Sequence, residues 1–148
     1  KYFDISAKFV VEADLVRAPG TEQFMMTTSA GITRKYLKYG TLEFVIDGQR
    51  LTLTVFESTI MPKLPEYADL LFLPFRDLTN GKETYGAGRY LDLRKQPGDK
   101  VTLNFNMAYN PNCAYGSDKF SCPLPPKENF LQIKVLAGEM IFEHAAAK

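Results

Sequence analysis

The sequence contains no tryptophan, one histidine and two cysteines among 148 residues. Each scarcity closes off a chemistry. The only histidine, His144, stands in the terminal EHAAAK, so a Cys–His or Ser–His–Asp nucleophile would require the chain end to fold back, and no G-x-S-x-G is present. Two thiolates without a placed histidine do not complete a tetrahedral zinc, so no metal and no other cofactor is expected. The net charge is +1 and basic residues never run beyond Arg-Lys pairs. The electrostatic footprint of a nucleic-acid partner is therefore missing. The longest apolar run, LLFLPF at 70–75, is far too short to span a bilayer. No signal-peptide pattern is visible, and the first residue is Lys1 rather than Met. A removed leader and a trimmed end both fit that start, so the compartment is not read directly. The alanine-rich tail 143–148 fits a frayed native end or appended residues and is given no function.

What is present points to strands. Eight tyrosines, eleven phenylalanines and many Thr, Val and Leu favour β-structure. The length fits one domain over 1–142. Segments 6–16 and 22–29 are predicted strands flanking a RAPGTEQ turn, with Pro19-Gly20 as the breaker. In TLEFVIDGQRLTLTVFES, Asp47-Gly48 predicts a two-residue hairpin turn with positive φ. That turn pairs Ile46 with Gln49, Phe44 with Leu51 and Leu42 with Leu53, and sets Glu43 against Thr52 and Thr41 against Thr54. Apolar residues then share one face, so turn chemistry and patterning agree on register. DLLFLPF, apolar on both faces, is expected to be a central strand covered on both sides. GRYLDL, KVTLNFNM and FLQIKVLAG each alternate and are predicted strands, the first two joined as a hairpin through KQPGD. At most a short turn of helix is expected near PEYADL. The fold class is all-β, a single antiparallel β-barrel or a two-layer β-sandwich with long polar loops.

From Asp77 to Asn129 the chain concentrates Asn, Asp, Tyr, Arg, Gly and Pro between short strands. Turns alone require some of these residues, but loops on a rigid β-scaffold are also where functional groups gather. Tyr90 and Asp92 are expected opposite Asn104 and Asn106, as a polar pocket, a buried network or the solvent face of the sheet. Arg89 with Asp77 or Glu83 forms either a structural ion pair or an anion-binding pair. Gly86-Ala87-Gly88 lacks a phosphate-loop pattern and instead suits a sharp turn or a close backbone approach. CPLPP would stiffen a loop wall in polyproline II form or, far less often, serve as ligand for a proline-reading partner.

Three blocks, FLPFRDLTNGKETYGAGRYLDL, LNFNMAYNPNCAY and CPLPPKENFL…VLAGE, together with the hairpin GTLEFVIDGQRLTL, resemble the bacterial and archaeal family known as domain of unknown function 1684. Order and spacing agree through most of the chain. Longer members carry an additional N-terminal portion. The resemblance implies the domain but brings no activity with it. Many relatives look exported, which implies a periplasmic or cell-envelope location.

Cys113 and Cys122 are separated by AYGSDKFS, which suits a disulfide staple across a surface loop. Two free or buried thiols, or a metal or redox role, are the alternatives. Three functional readings remain. The first is a module binding a small polar molecule, in which Tyr85, Tyr90, Tyr109 and Tyr115 supply flat faces while Arg89, Asn104, Asn106 and Asn110 orient the ligand. The second is a hydrolase using Asp77, Glu83 or Asp92 as acid or base, Glu128 being a further carboxylate in the region. The third is an envelope scaffold whose loops only hold the fold. Oligomeric state is not legible.

Overall fold

The computed structural model describes residues 1–19, 22–59, 68–115 and 121–142. Seven strands follow in chain order: β1 Val10–Arg17, β2 Gln23–Thr27, β3 Thr33–Ile46, β4 Gln49–Ser58, β5 Leu70–Phe75, β6 Arg89–Arg94 and β7 Lys100–Asn104. They form one antiparallel sheet in the order β6-β5-β4-β3-β1-β7, with β2 also on β3. The sheet curls into a half-barrel, and no α-helix occurs among the described residues. The all-β antiparallel expectation is borne out in this form.

The longest strand, β3, organises the rest. Its hairpin with β4 has the register that Asp47-Gly48 predicts: Ile46 faces Gln49, Phe44 faces Leu51 and Leu42 faces Leu53. Both turn residues have positive φ, 54° and 76°. On its other edge, β3 receives β2 over Thr33–Leu37 and then β1 over Gly40–Glu43. At the handover the β3–β4 register shifts between Lys38 and Gly40. Gly40 is needed there, since a Cβ would stand 2.6 Å from the Val16 carbonyl oxygen.

The bulge changes which residues face which side, because one extra residue inverts the two-residue alternation. After it, Leu42, Phe44 and Ile46 point into the main core with Leu53, Val55, Leu71, Leu73, Leu91, Leu103 and Phe105. Before it, Tyr36 has the same sequence parity but points to the opposite face. There it packs with Met26 and Phe56, against Phe24 and Phe72. Strand β5 thus lies between two apolar layers, as its uninterrupted apolar sequence predicts.

Strands β4 and β5 pair directly only at Phe56 and Phe72. Beyond that point Pro74 offers no N–H, and fully buried Asn129 takes the place of the ladder. Its Oδ1 accepts from the Thr54 N–H at 2.8 Å, and its Nδ2 donates to the carbonyls of Thr54 at 2.8 Å and Pro74 at 2.7 Å. Glu128 beside it accepts from the Thr54 hydroxyl at 2.5 Å.

Several local expectations are corrected. The segment from residue 6 opens as a 3-10 turn, Ala7–Phe9, before β1. β6 and β7 do not form a hairpin: they stand at opposite ends of the strand order, β6 on β5 and β7 on β1. The Pro97-Gly98 turn only redirects the chain. The KVTLNFNM strand stops at Asn104, where Asn104 Oδ1 accepts from the Asn106 N–H and a 3-10 turn over Phe105–Met107 begins, leaving Met107 exposed. FLQIKVLAG is not a strand but an extended strap with alternate residues Leu131, Val135 and Ala137 buried. The first half of PEYADL, part of the RAPGTEQ turn, residues 116–120 and the tail 143–148 lie outside the described residues.

Replacing Asn129 with alanine strands two carbonyls and one N–H between β4 and β5. The expected loss is about 3 kcal/mol in urea unfolding, against less than about 0.5 kcal/mol for Glu43→Gln on the exposed face.

Candidate functional site

The residues singled out between Asp77 and Asn129 separate into four groups. The first is a buried knot. Arg89 is fully buried, and its guanidinium donates to the carbonyl oxygens of Ala137 at 2.5 Å, Val135 at 3.1 Å and Glu139 at 3.3 Å. Asp77 lies 3.6 Å away through Oδ1, while its Oδ2 accepts from the Val135 N–H at 2.7 Å and the Thr79 hydroxyl at 2.8 Å. Burial lowers the Arg89 pKa, and the neighbouring Asp77 and Glu139 charges oppose that shift. Of the alternatives in the sequence, Arg89 and Asp77 form the internal ion pair. Gly88, φ +109°, makes the close approach foreseen for this turn: a Cβ there would lie 2.7 Å from the Phe75 carbonyl oxygen.

The second group is a clip. Asn106 accepts from the Ser6 N–H and donates to the Ser6 carbonyl, both at 3.0 Å, and also donates to Asn104 Oδ1. These two asparagines therefore hold the first residues of the chain. In the third group, buried Glu139 accepts from the Asn110 N–H at 2.8 Å and from the Tyr115 hydroxyl. The Tyr115 ring meets Phe142 edge-on at 5.0 Å. Glu83 and Tyr85 stand apart from these clusters. Glu83 offers its backbone carbonyl to Ile141, with its carboxylate 4.0 Å from Lys134, and the Tyr85 carbonyl accepts from Asn80.

The fourth group opens to solvent. Tyr90, Asp92 and Tyr109 meet on the outer face of β6, where the Tyr109 hydroxyl donates to Asp92 Oδ1 at 2.7 Å. The Tyr90 hydroxyl donates to the Pro123 carbonyl at 2.6 Å. Their rings end a continuous series: Phe24 to Phe56 at 5.1 Å, Phe56 to Tyr36 at 6.3 Å, Tyr36 stacked on Phe72 at 5.6 Å, Phe72 to Tyr90 at 4.7 Å and Tyr90 to Tyr109 at 5.7 Å. A segment around Cys122 and Pro123 packs on this face. Ser29 N–H donates to the Cys122 carbonyl, Leu124 N–H to the Thr27 carbonyl, and Ser121 to the Thr28 hydroxyl. Cys113 and Cys122 are bonded as a disulfide, so the loop after β7 is tied to this segment, as the staple reading expected.

Beside the ring series lies a cleft of about 410 Å³ lined by Arg34, Tyr36, Ser58, Phe72, Asp92 and Tyr109, with Leu70 and Leu71 at its base. Arg34, Tyr36 and Phe72 are the residues that sequence reasoning missed. Phe72 was visible as the outward member of an all-apolar strand. Tyr36 and Arg34 were hidden because the bulge inverts the face of β3. A second opening of about 540 Å³ lies where β1 and β3 part beyond the Asp14–Glu43 pair, between Glu12, Val45, Arg50 and Thr52. Larger volume does not make it the better site: it has one aromatic ring in its lining, Phe44, where the smaller cleft has Tyr36, Phe72 and Tyr109. Among the described residues no group of acidic, histidine or cysteine side chains is arranged to hold a metal ion.

Burial raises the pKa of Tyr36, Tyr90 and Tyr109, the last also through its bond to Asp92. Tyr115 is pushed up to about 12 by burial and by Glu139. Unfolding frees these phenols to ionise near pH 10, so the unfolded chain holds fewer protons and stability falls as pH rises through the 10–12 window. An absorbance titration of phenolate should show these four tyrosines ionising above pH 10, in step with loss of structure. Breaking the knot is expected to be far more costly than changing the cleft. Arg89→Met leaves Asp77 uncompensated and should lower stability by about 3–5 kcal/mol in urea unfolding, whereas exposed Asp92→Asn should stay within about 1 kcal/mol.

A family described as "Protein of unknown function (DUF1684)" matches residues 1–140. No protein with a curated description matches the chain. Among solved structures, it is similar to the solution NMR structure of the uncharacterized protein from gene locus rrnAC0354 of Haloarcula marismortui, with 40% identity and a TM-score of 0.76. That alignment covers 97% of this chain and 77% of the other.

Proposed function

The chain belongs to the DUF1684 family, and we propose that it is a binding module for a small molecule that seats in the cleft on the outer face of β3–β6. One observation carries this reading: the cleft joins a wall of aromatic rings to polar groups that the described residues leave wholly or partly without partners. Arg34 and the Tyr36 hydroxyl make no hydrogen bond or ion pair with the described residues, and Asp92 commits only one carboxylate oxygen. Apolar walls with a few convergent polar groups are the usual composition of a ligand site. The support is specific to Tyr90, Asp92 and Tyr109 among the residues expected from sequence. Asp77, Arg89, Asn104, Asn106, Asn110 and Tyr115 direct most of their polar atoms to internal partners.

A carboxylate acid–base pair finds less support, since among the described residues Asp92 lines the cleft without a second carboxylate. The disulfide favours an oxidising compartment, consistent with a cell-envelope location. The test is an NMR titration with small aromatic fragments, phenol and indole first. The expected result is a set of shifts concentrated on the Tyr36, Phe72 and Tyr109 rings, with the main core unmoved. Shifts scattered over the exposed surface, or none at the cleft, would overturn the proposal.

A further inference from the structure

The charges at the cleft are of opposite sign and lie at opposite ends. Arg34 comes from β3 and Asp92 from β6, three strands away, which is about 14 Å across the sheet at ~4.8 Å per strand. The registers align Asp92 with Lys38 rather than Arg34, so the two are also offset along the strands. The two side chains do not neutralise each other: no ion pair joins them, and neither has a salt bridge to any other described residue. Between them lie the stacked Tyr36 and Phe72 rings and the Tyr109 ring.

At the Arg34 end, the guanidinium and the Tyr36 hydroxyl are both hydrogen-bond donors, a pairing that suits a carboxylate or similar anion. At the other end, Asp92 is an acceptor already oriented by the Tyr109 hydroxyl at 2.7 Å, with its second oxygen free for a cation. The Tyr109 ring beside it offers a face that attracts an ammonium group. A neutral apolar molecule would leave all three groups unanswered. A molecule of one charge would answer one end and be repelled at the other.

We infer that the cleft takes a zwitterionic ligand with a flat apolar body, its anionic group on Arg34 and Tyr36 and its ammonium group on Asp92. This inference rests on the small-molecule reading above and adds the chemical class. The probes are 4-(aminomethyl)benzoic acid and its biphenyl homologue, which carry both charges at two different separations. Benzylamine and 4-methylbenzoate each carry one. Binding is followed by NMR on the Tyr36, Phe72 and Tyr109 rings.

At least one zwitterion should bind about tenfold more tightly than either single-charge analogue, since each charged hydrogen bond contributes on that order. Asp92→Asn should remove the advantage over 4-methylbenzoate, and Arg34→Gln the advantage over benzylamine. Circular dichroism confirms that both variants are folded. If the probes move the cleft rings but zwitterions and single-charge analogues bind alike, the ligand class is wrong and the cleft stands as a site. If no probe moves those rings, the class and the site fail together.

Discussion

The structure depends on a guanidinium that stands in for a β-strand. A half-barrel has an open side, and here the strap after Asn129 lies across it, contributing Leu131, Val135 and Ala137 to the main core. Its start pairs with the chain just after β5, where Leu131 N–H donates to the Arg76 carbonyl and Leu78 N–H to the Ile133 carbonyl, but from Val135 onward side chains take over much of that role. Arg89 takes three of its carbonyls and Asp77 takes the Val135 N–H. Burying a charge costs several kcal/mol unless it is met on all sides. Here the Asp77–Arg89 pair compensates itself in charge while fixing the strap, although Asp77 Oδ1 and Arg89 Nε make no hydrogen bond with the described residues. The same arrangement positions the loop 77–85 through Thr79 and Asn80.

From that closure follows a division of labour between the two faces of one sheet. The inner face is sealed by the strap and packs the large core. The outer face of β3–β6 carries the row of aromatic rings, partly covered by β2 and by the disulfide-tied segment at Cys122. The cleft sits where that cover stops, between Tyr36 and Tyr109. Most of its walls come from strands that also bound the core, and Tyr109, which lies after β7, is fixed to β6 by the two backbone hydrogen bonds it exchanges with Tyr90.

Where the sequence was legible, local chemistry and packing asked for the same thing. The Asp47-Gly48 turn, the alternation on either side of it and the burial of Leu42, Phe44, Leu51 and Leu53 agree at every pair. Other signals were ambiguous for physical reasons. The strap alternates because it is extended and half-buried, and an extended segment shows that period whether its backbone partners are a strand or an arginine. Pro97-Gly98 is a sound turn signal, but a turn does not decide whether the strands it joins pair. Most of the dense polar region proved to be hydrogen-bond replacement. Asn106 and Asn129 occupy places where a ladder would otherwise continue, and Asn110 works with Glu139. Their enrichment was visible in the sequence, but their partners, up to 100 residues away, were not.

By itself, the sequence determined the all-β class, the register of the central hairpin, the doubly buried β5 and a cysteine pair able to close a short loop. Those properties depend on neighbours in the chain and on a two-residue period. Only the tertiary structure decided that β6 and β7 stand at opposite ends of the sheet, that Arg89 faces inward, and that Arg34 and Tyr36 share a cleft with Asp92. Each of these depends on the curl of the sheet and on a single-residue bulge in β3. One extra residue exchanges the two faces of a strand, and the lone Gly40 that accompanies it does not by itself say so.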